Sequence, residues 1–307
     1  ESFVNGNFNE CDIIQYHNRY IKYLDLVKMK INRKILLEKP SFILYHSFPE
    51  ITDNYNEVFL INSLAVIIRK IFKKKSSTIL LNNHNHKYLK YLYSSKKQKI
   101  NQMVIGQYQA TLEEYKNYKI VRNIIDFNKN IYSLKHKMNS EIKIGYSPSI
   151  TNKKGRSIWE TKGYNRTIKV IKNLSKIKKI KYDIITNVSL EECLIRKSQC
   201  NIIIDECVTA SYHRSALEGL ALGKMTICSI GKKVENNIKN ITKCSNIPFE
   251  NIWIDSLEKE LEKIINLGSD YINLKGDNNR KWMQKYWNPI DIVNEHINYY
   301  NDKLKNE

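Results

Sequence analysis

The segment SYHRSALEG, residues 211 to 219, sets His213, Arg214 and Glu218 into a short apolar helical start directly after the strand-like run NIIID at 201 to 205. Ser211 is placed to cap that helix, and the backbone N–H groups after it have no partner within the element. On a helical wheel Tyr212, Ala216, Leu217 and Leu220 share one broad side, while Arg214 and Glu218, four apart, fall on the other. The segment admits two roles. It can be a solvated helix end with an Arg–Glu surface pair, worth roughly 0.3 to 0.5 kcal/mol. It can equally be a socket for an anionic ligand, with His213 and Arg214 near the charge and Glu218 accepting hydrogen bonds from ligand hydroxyls one turn deeper. Its place after a strand suits the second role, because ligands of parallel sheets gather beyond the carboxyl ends of strands.

A second helix entrance lies in TKGYNRTIKVIKNLSKIKKIKYD. Here Tyr164, Ile168, Ile171 and Leu174 form an apolar stripe, and eight basic residues precede the first acid, Asp183. The stripe specifies an amphipathic helix, and most of its lysines read as a solvated face. Lys162 and Gly163 stand apart because they sit where a loop becomes a helix. Glycine permits close backbone approach, the first N–H groups point outward, and lysine adds a point charge, which together would suit a phosphate.

Several other chemistries lack their residues. His84 and His86 in NNHNH have no nearby cysteine or convincing carboxylate partner, which disfavours zinc. His17 and His46 each end a strand-like run, where a histidine can reach a cleft or simply pack. A serine nucleophile elbow, a P-loop and a GxGxxG opening a strand–helix–strand unit are all missing, so NAD and FAD are disfavoured. The six cysteines form no CxxC pair and mostly lie in or beside apolar runs, as reduced core residues do.

The elements that must position these residues alternate. CDIIQYH (11 to 17), SFILYH (41 to 46), STILL (77 to 81), QMVIG (102 to 106) and YKIV (118 to 121) read as strands, and 56 to 75 reads as a helix ending in lysines. A polar stretch from Asn128 to Ser140 marks the boundary. Then follow a strand at 141 to 147, a helix over 163 to 178, a strand at 181 to 186, a helix from Ser189, the strand at 201 to 205, a helix from Ser211 to Leu222, and a strand at 224 to 231. This rhythm predicts an α/β protein with two doubly wound, parallel-sheet domains. Beyond it, SLEKELEKIINLG is a helix with Gly268 as its stop, and the segment from about Asp277 is helical and interrupted at Pro289. The domains expected are 1–136, 137–288, and a C-terminal helix over 289–307 that packs on or crosses back between them.

Lys plus Arg number 51 against 31 acids, a formal charge of +20 that favours anions. Charge alone does not choose among nucleic acid, a phosphorylated metabolite and a membrane. The longest apolar stretches are strand-sized, short of the roughly 20 residues that cross a bilayer, and no signal peptide is visible.

Taken together, IGYSPSI (144 to 150), TKGYNRTIKVIKNL (161 to 174) and the run from SLEECL to TICSIG (189 to 231) resemble the donor domain of nucleotide-sugar glycosyltransferases of the GT-B fold. The likeness is to the retaining, group 1 (family 4-like) branch, and MQKYWNPIDIVNEHINYY extends it loosely. The amino-terminal half resembles the family more faintly, and on that alignment the family's first strand and Gly-rich turn would lie before Glu1. The resemblance implies two facing Rossmann-like domains and transfer of a sugar from a nucleoside diphosphate sugar to a glycan or lipid-linked glycan. It implies no obligatory cofactor or metal. Lys162 and Gly163 would contact the donor diphosphate, Glu218 the ribose, and Asp205, Ser211 and Gly219 would complete the donor site. His213 and Arg214 would meet the reacting centre, with His46 on the acceptor or sugar side. The family's glutamate–seven residues–glutamate pattern is broken at Ala210, and His213 stands where a small residue is frequent. Cytoplasmic location with peripheral contact to an anionic membrane follows as a secondary expectation. The rivals are a nucleotide-sugar epimerase or binding protein of the same fold, and a basic nucleic-acid-binding protein, although no specific nucleic-acid motif is present.

Overall fold

The computed structural model describes residues 14–17, 41–45, 101–112, 115–133, 141–148, 158 and 161–305. The chain forms two compact units. One comprises residues 1–105, 112–121 and 297–307, the other 106–111 and 122–296.

The first unit holds a four-stranded parallel sheet in the order β1 (Ile14–His17), β2 (Ser41–Tyr45), β3 (Asn101–Ile105), β4 (Lys119–Val121). Each pair is in register from Ile14 against Ser41 to Ile105 against Val121. Met103, Ile105 and Val121 are buried there, with Tyr299 and Tyr300 packed against them. The helix expected over 56 to 75 and the strand at 77 to 81 lie outside the described residues.

The second unit carries a five-stranded sheet whose spatial order is β6 (Ile180–Ile184), β5 (Ile142–Tyr146), β7 (Ile202–Ile204), β8 (Met225–Cys228), β9 (Glu250–Asn251), all parallel. The chain leaves β5 for the edge at β6, then returns past β5 to lay down β7 on its other side. The switch point of the winding therefore falls between the carboxyl ends of β5 and β7. Helix α1 (Tyr164–Ile177) joins β5 to β6, α2 (Leu190–Ser198) joins β6 to β7, and α3 (Arg214–Ala221) joins β7 to β8. After β8 come α4 (Lys232–Thr242), α5 (Leu257–Asn266), α6 (Gly268–Tyr286) and α7 (Pro289–Lys305).

Apolar patterning explains these layers. β7 reads Ile-Ile-Ile and is buried throughout, as a central parallel strand covered on both faces must be. Ile171 and Leu174 of α1 and Leu257, Leu261 and Ile264 of α5 pack with Ile144, Ile202 and Ile227 in one core. A second core gathers Ala216, Leu217 and Leu220 of α3 with Val234, Ile238, Met283 and Trp287. Ile125, Phe127 and Tyr132 are buried in this second core, which is why the structure divides at 121/122 whereas the polar composition of 128 to 140 places the division later.

Two local expectations are corrected. Helix α3 begins at Arg214 with His213 as N-cap, not at Ser211. Gly268 has φ +86° and does break α5, but α6 starts on it at once, so the helix expected from about Asp277 is longer. Four of the five described cysteines are buried and all are unpaired. Among the described residues no helix is long and apolar enough to cross a membrane.

Candidate functional site

The loop from β5 to α1 and the loop from β7 to α3 flank the switch point, and they touch. Lys162 and Gly163 both adopt left-handed backbone, with φ +50° and +73°. At Gly163 a Cβ would fall 2.7 Å from Val208 Cγ2 of the other loop, so the position demands glycine by both conformation and space. Helix α1 starts on Gly163 without a side-chain cap, and α3 starts on His213 without one. By contrast α2, which follows the edge strand, is capped by Ser189 accepting from the Glu192 N–H at 3.1 Å. Neither helix at the switch point has a side-chain cap, a trait shared with α4, α5 and α6; in their first turns the Tyr164 N–H donates to the Thr161 carbonyl at 3.0 Å and the Ala216 N–H to the His213 carbonyl at 3.1 Å.

Asp205, directly after β7, is buried and accepts the His213 backbone N–H at 2.8 Å. His213 Nδ1 lies 3.2 Å from the same Asp205 oxygen and 3.8 Å from Glu206 Oε1. Burial by itself would raise the Asp205 carboxyl. The His213 charge and hydrogen bonds, with Lys162 adding, outweigh it and hold the group below the ordinary carboxylate range. Next to it, burial pushes the Glu206 carboxyl up, against His213 and the Thr209 hydrogen bonds, and the Asp205 charge adds to the rise. Glu206 accepts the Val208 and Thr209 N–H groups at 2.9 and 2.8 Å, which folds the 205–210 loop back on itself.

The depressed Asp205 value carries a stability consequence. A folded-state pKa below the unfolded one means that the unfolded chain binds the proton more readily. The contribution is therefore present above about pH 3.9 and is lost as pH falls through the folded value. Asp205→Asn removes this contribution, so its melting temperature should fall less steeply than wild type on acidification below about pH 4. An unchanged acid slope would refute the assignment.

Glu218 lies one turn into α3 and is not on a solvated face. Its side chain is 5% exposed; Oε2 accepts Lys197 Nζ at 2.7 Å and Oε1 accepts Arg214 Nε at 3.0 Å. Arg214 itself is 61% exposed. The helical wheel put Arg214 and Glu218 together on the outer side, but α2 packs beside α3 and converts Glu218's position into an interior one. Lys197 also donates to Ser215 Oγ at 3.0 Å, and that hydroxyl is 3.0 Å from Ser147 Oγ, the residue just after β5. Lys197, Ser215, Ser147 and Glu206 were absent from the sequence-derived site. A signal for Lys197 existed: on α2 it follows Leu194 by three residues, on the buried face.

Of the remaining sequence candidates, Ser211 is buried, accepts the Tyr108 N–H at 3.1 Å and donates to the Tyr212 carbonyl at 3.3 Å, so its hydroxyl braces the loop. Tyr212 anchors the same loop through a 3.0 Å bond to the Gly106 carbonyl and rings of Phe249 and Trp287 against it. A Cβ at Gly219 would stand 2.7 Å from Thr226 Oγ1 and 3.2 Å from Ile203 Cβ, so this glycine lets α3 lie close on β7 and β8. His46 lies outside the described residues. Ala210, where the family pattern carries a glutamate, has φ +59° and donates its N–H to Ser229 Oγ at 3.2 Å.

At Arg214, the ion-pair partner of Glu218, an open pocket of about 520 Å³ is lined also by Ile124, Ile131, Tyr132, Leu190 and Leu194, with Asp126, Lys129 and Glu191 contributing. Burial, then the Glu218 charge, push the Tyr132 phenol up to about 12. Among the described residues no group of His, Cys, Asp and Glu converges as a metal site would.

The open, all-parallel sheet whose strand order reverses at a switch point defines a Rossmann-like class of protein. No family model matches the chain, and no curated protein matches it. Among solved structures, a crystal structure of TarM is 13% identical with a TM-score of 0.50, covering 87% of this chain and 52% of that one. A mutant of S. aureus TarM in complex with Fondaparinux, alpha-GlcNAc-glycerol and UDP gives 12%, 0.50, 87% and 53%. The glycosyltransferase from Rickettsia africae ESF-5 is 15% identical at a TM-score of 0.47, covering 96% of this chain and 99% of that one. The chain spans about half the length of TarM. At these identities the likeness is one of fold: the chain has a GT-B-like fold with parallel-sheet, Rossmann-like units.

Proposed function

We propose that the protein is a glycosyltransferase that takes its sugar from a nucleoside diphosphate sugar. The observation that carries this is the convergence at one switch point of Lys162, Gly163, two uncapped helix N-termini and the buried carboxylate of Glu218. In this assignment the diphosphate rests on the first turns of α1 and α3 with Lys162 beside it. The ribose hydroxyls donate to Glu218, and the base enters the pocket between Leu190, Leu194 and Tyr132. The GT-B-like fold supports the assignment, and the TarM mutant of that fold was crystallised with UDP.

Chemically, the bond from the anomeric carbon to the diphosphate breaks, an acceptor hydroxyl takes its place, and the acceptor proton passes to the departing phosphate oxygen. The fixed positive charge of Lys162 and the helix N-termini stabilises the negative charge that grows on the leaving group, with no metal needed for that step. His213, oriented by Asp205, covers the diphosphate from the loop side, and Arg214 stands at the open edge. Retention of anomeric configuration and a glycan or lipid-linked glycan acceptor, reached from the cytoplasmic membrane face, complete the proposal.

A panel of nucleoside diphosphate sugars, scored by the melting midpoint, tests it. A matching donor at about 100 times its Kd should stabilise the fold by about 2.7 kcal/mol. If no nucleotide or nucleotide sugar raises the midpoint, the assignment fails.

A further inference from the structure

We infer that Lys197 is the positioning residue of the donor site: it fixes the orientation of the Glu218 carboxylate so that the ribose can be read. The inference rests on the donor-site assignment above and extends it to a residue on a different helix.

Lys197 is 1% exposed and Glu218 5%, so both charges are out of water. A pair in such a place gains little over a well-packed apolar pair, because desolvation cancels much of the attraction. Its value to the protein lies in what it fixes. Lys197 Nζ approaches Oε2 of Glu218 at 2.7 Å from the α2 side, while Arg214 meets Oε1 at 3.0 Å. Arg214 is largely exposed and can share its oxygen with an incoming hydroxyl or move aside. Lys197 is walled in and cannot. A carboxylate accepts about four hydrogen bonds, so one permanent donor on Oε2 leaves acceptor positions for two ribose hydroxyls while setting the plane in which they lie. The second Lys197 hydrogen bond, to Ser215 Oγ and onward to Ser147 Oγ, ties this arrangement to the end of β5. Three elements that border the switch point are thereby registered through one ammonium group.

The test uses binding alone. The probes are UDP, GDP and ADP, the tightest being carried forward with its 2′,3′-dideoxy counterpart, and the reading is the ratio of the two Kd values. Wild type should prefer the ribose form about tenfold or more. Lys197→Met should reduce that ratio to about two or less, and Lys197→Gln, which keeps one donor, should fall between. In a Glu218→Gln background, Lys197→Met should change the ratio by less than about twofold, since Lys197 acts through the carboxylate. A merely structural lysine would alter the melting temperature and leave the ratio intact. Full discrimination in Lys197→Met, or in Lys197→Gln should the methionine variant not fold, overturns the inference. So does a further loss in the Glu218→Gln background. Failure of wild type to bind any nucleotide, or to distinguish ribose from dideoxyribose, would instead overturn the donor-site assignment.

Discussion

Lys162→Ala should lower kcat/KM for sugar transfer by about 10²-fold, the usual cost of removing one group that stabilises charge developing in the transition state. The side chain departs from a loop whose shape is made by the backbone: residues 162 and 163 are consecutive left-handed positions, and the Gly163 N–H donates to the Ile158 carbonyl at 2.8 Å. A non-glycine residue at φ +50° costs on the order of 1 to 2 kcal/mol. Alanine inherits that conformation unchanged, so the folded state should lose little and the melting temperature should stay close to that of wild type. What disappears is the ammonium charge beside Asp205 and the two uncapped helices. Steady-state kinetics with the donor that gives the largest thermal stabilisation measures the effect. A kcat/KM within about twofold of wild type would remove Lys162 from the leaving-group site.

The largest stability effect is expected far from the chemistry, at Gly276. Alanine is the better helix former by about 1 kcal/mol, and the site lies in the interior of α6, so propensity alone forecasts stabilisation. The tertiary contact reverses the sign. A Cβ at residue 276 would drive into the carbonyl oxygen of Gly223 and stand 3.0 Å from its carbon and 3.2 Å from the Lys224 Cα, all of them backbone atoms that cannot swing away. Gly276→Ala should therefore destabilise by about 2 to 3 kcal/mol, read from the midpoint of urea unfolding. A midpoint equal to or above that of wild type would contradict the close approach. The loss would reach the proposed donor site, because α6 also holds the end of α3: Asn279 Nδ2 donates to the Lys224 carbonyl at 2.9 Å, and Arg280 donates to the carbonyls of Ala221 and Phe127.

Gly276 also shows why α6 was only partly legible. Its middle, KGDNNR, carries a glycine and three residues of low helix propensity, and Gly268 reads as a stop, so the pattern places this helix only from about Asp277. Those same residues are the ones that touch the 221–224 turn, glycine by its absence of a side chain and Asn279 by its amide. Helix α4 was missed for a related reason: KKVENNIKNIT is polar, and only Val234 and Ile238 are buried. Strands with continuous or alternating apolar residues were legible throughout, and every described strand of the two sheets but the two-residue β9 falls within a segment that the pattern marks, give or take a residue. The cap at Ser189 was equally plain, since a serine with an acid three residues on is a local signal.

The site divides along the same line. Lys162, Gly163, His213 and Glu218 could be picked out because each belongs to a loop or helix start that follows a strand, and Asp205 through the family resemblance. Periodicity and glycine placement encode such features over a few residues. The alternation of strand and helix also determined that the protein is α/β with parallel sheets. Only the tertiary structure decided that the two loops touch at Gly163 and Val208. It alone showed that Ser211 braces the backbone instead of capping α3, and that Glu218 is buried against Lys197. Those outcomes depend on the order in which strands lie in the sheet and on which helix packs beside which. Contacts between residues 21 to 103 positions apart, such as Lys197 with Glu218 and Tyr108 with Ser211, leave no periodic trace in the chain that makes them.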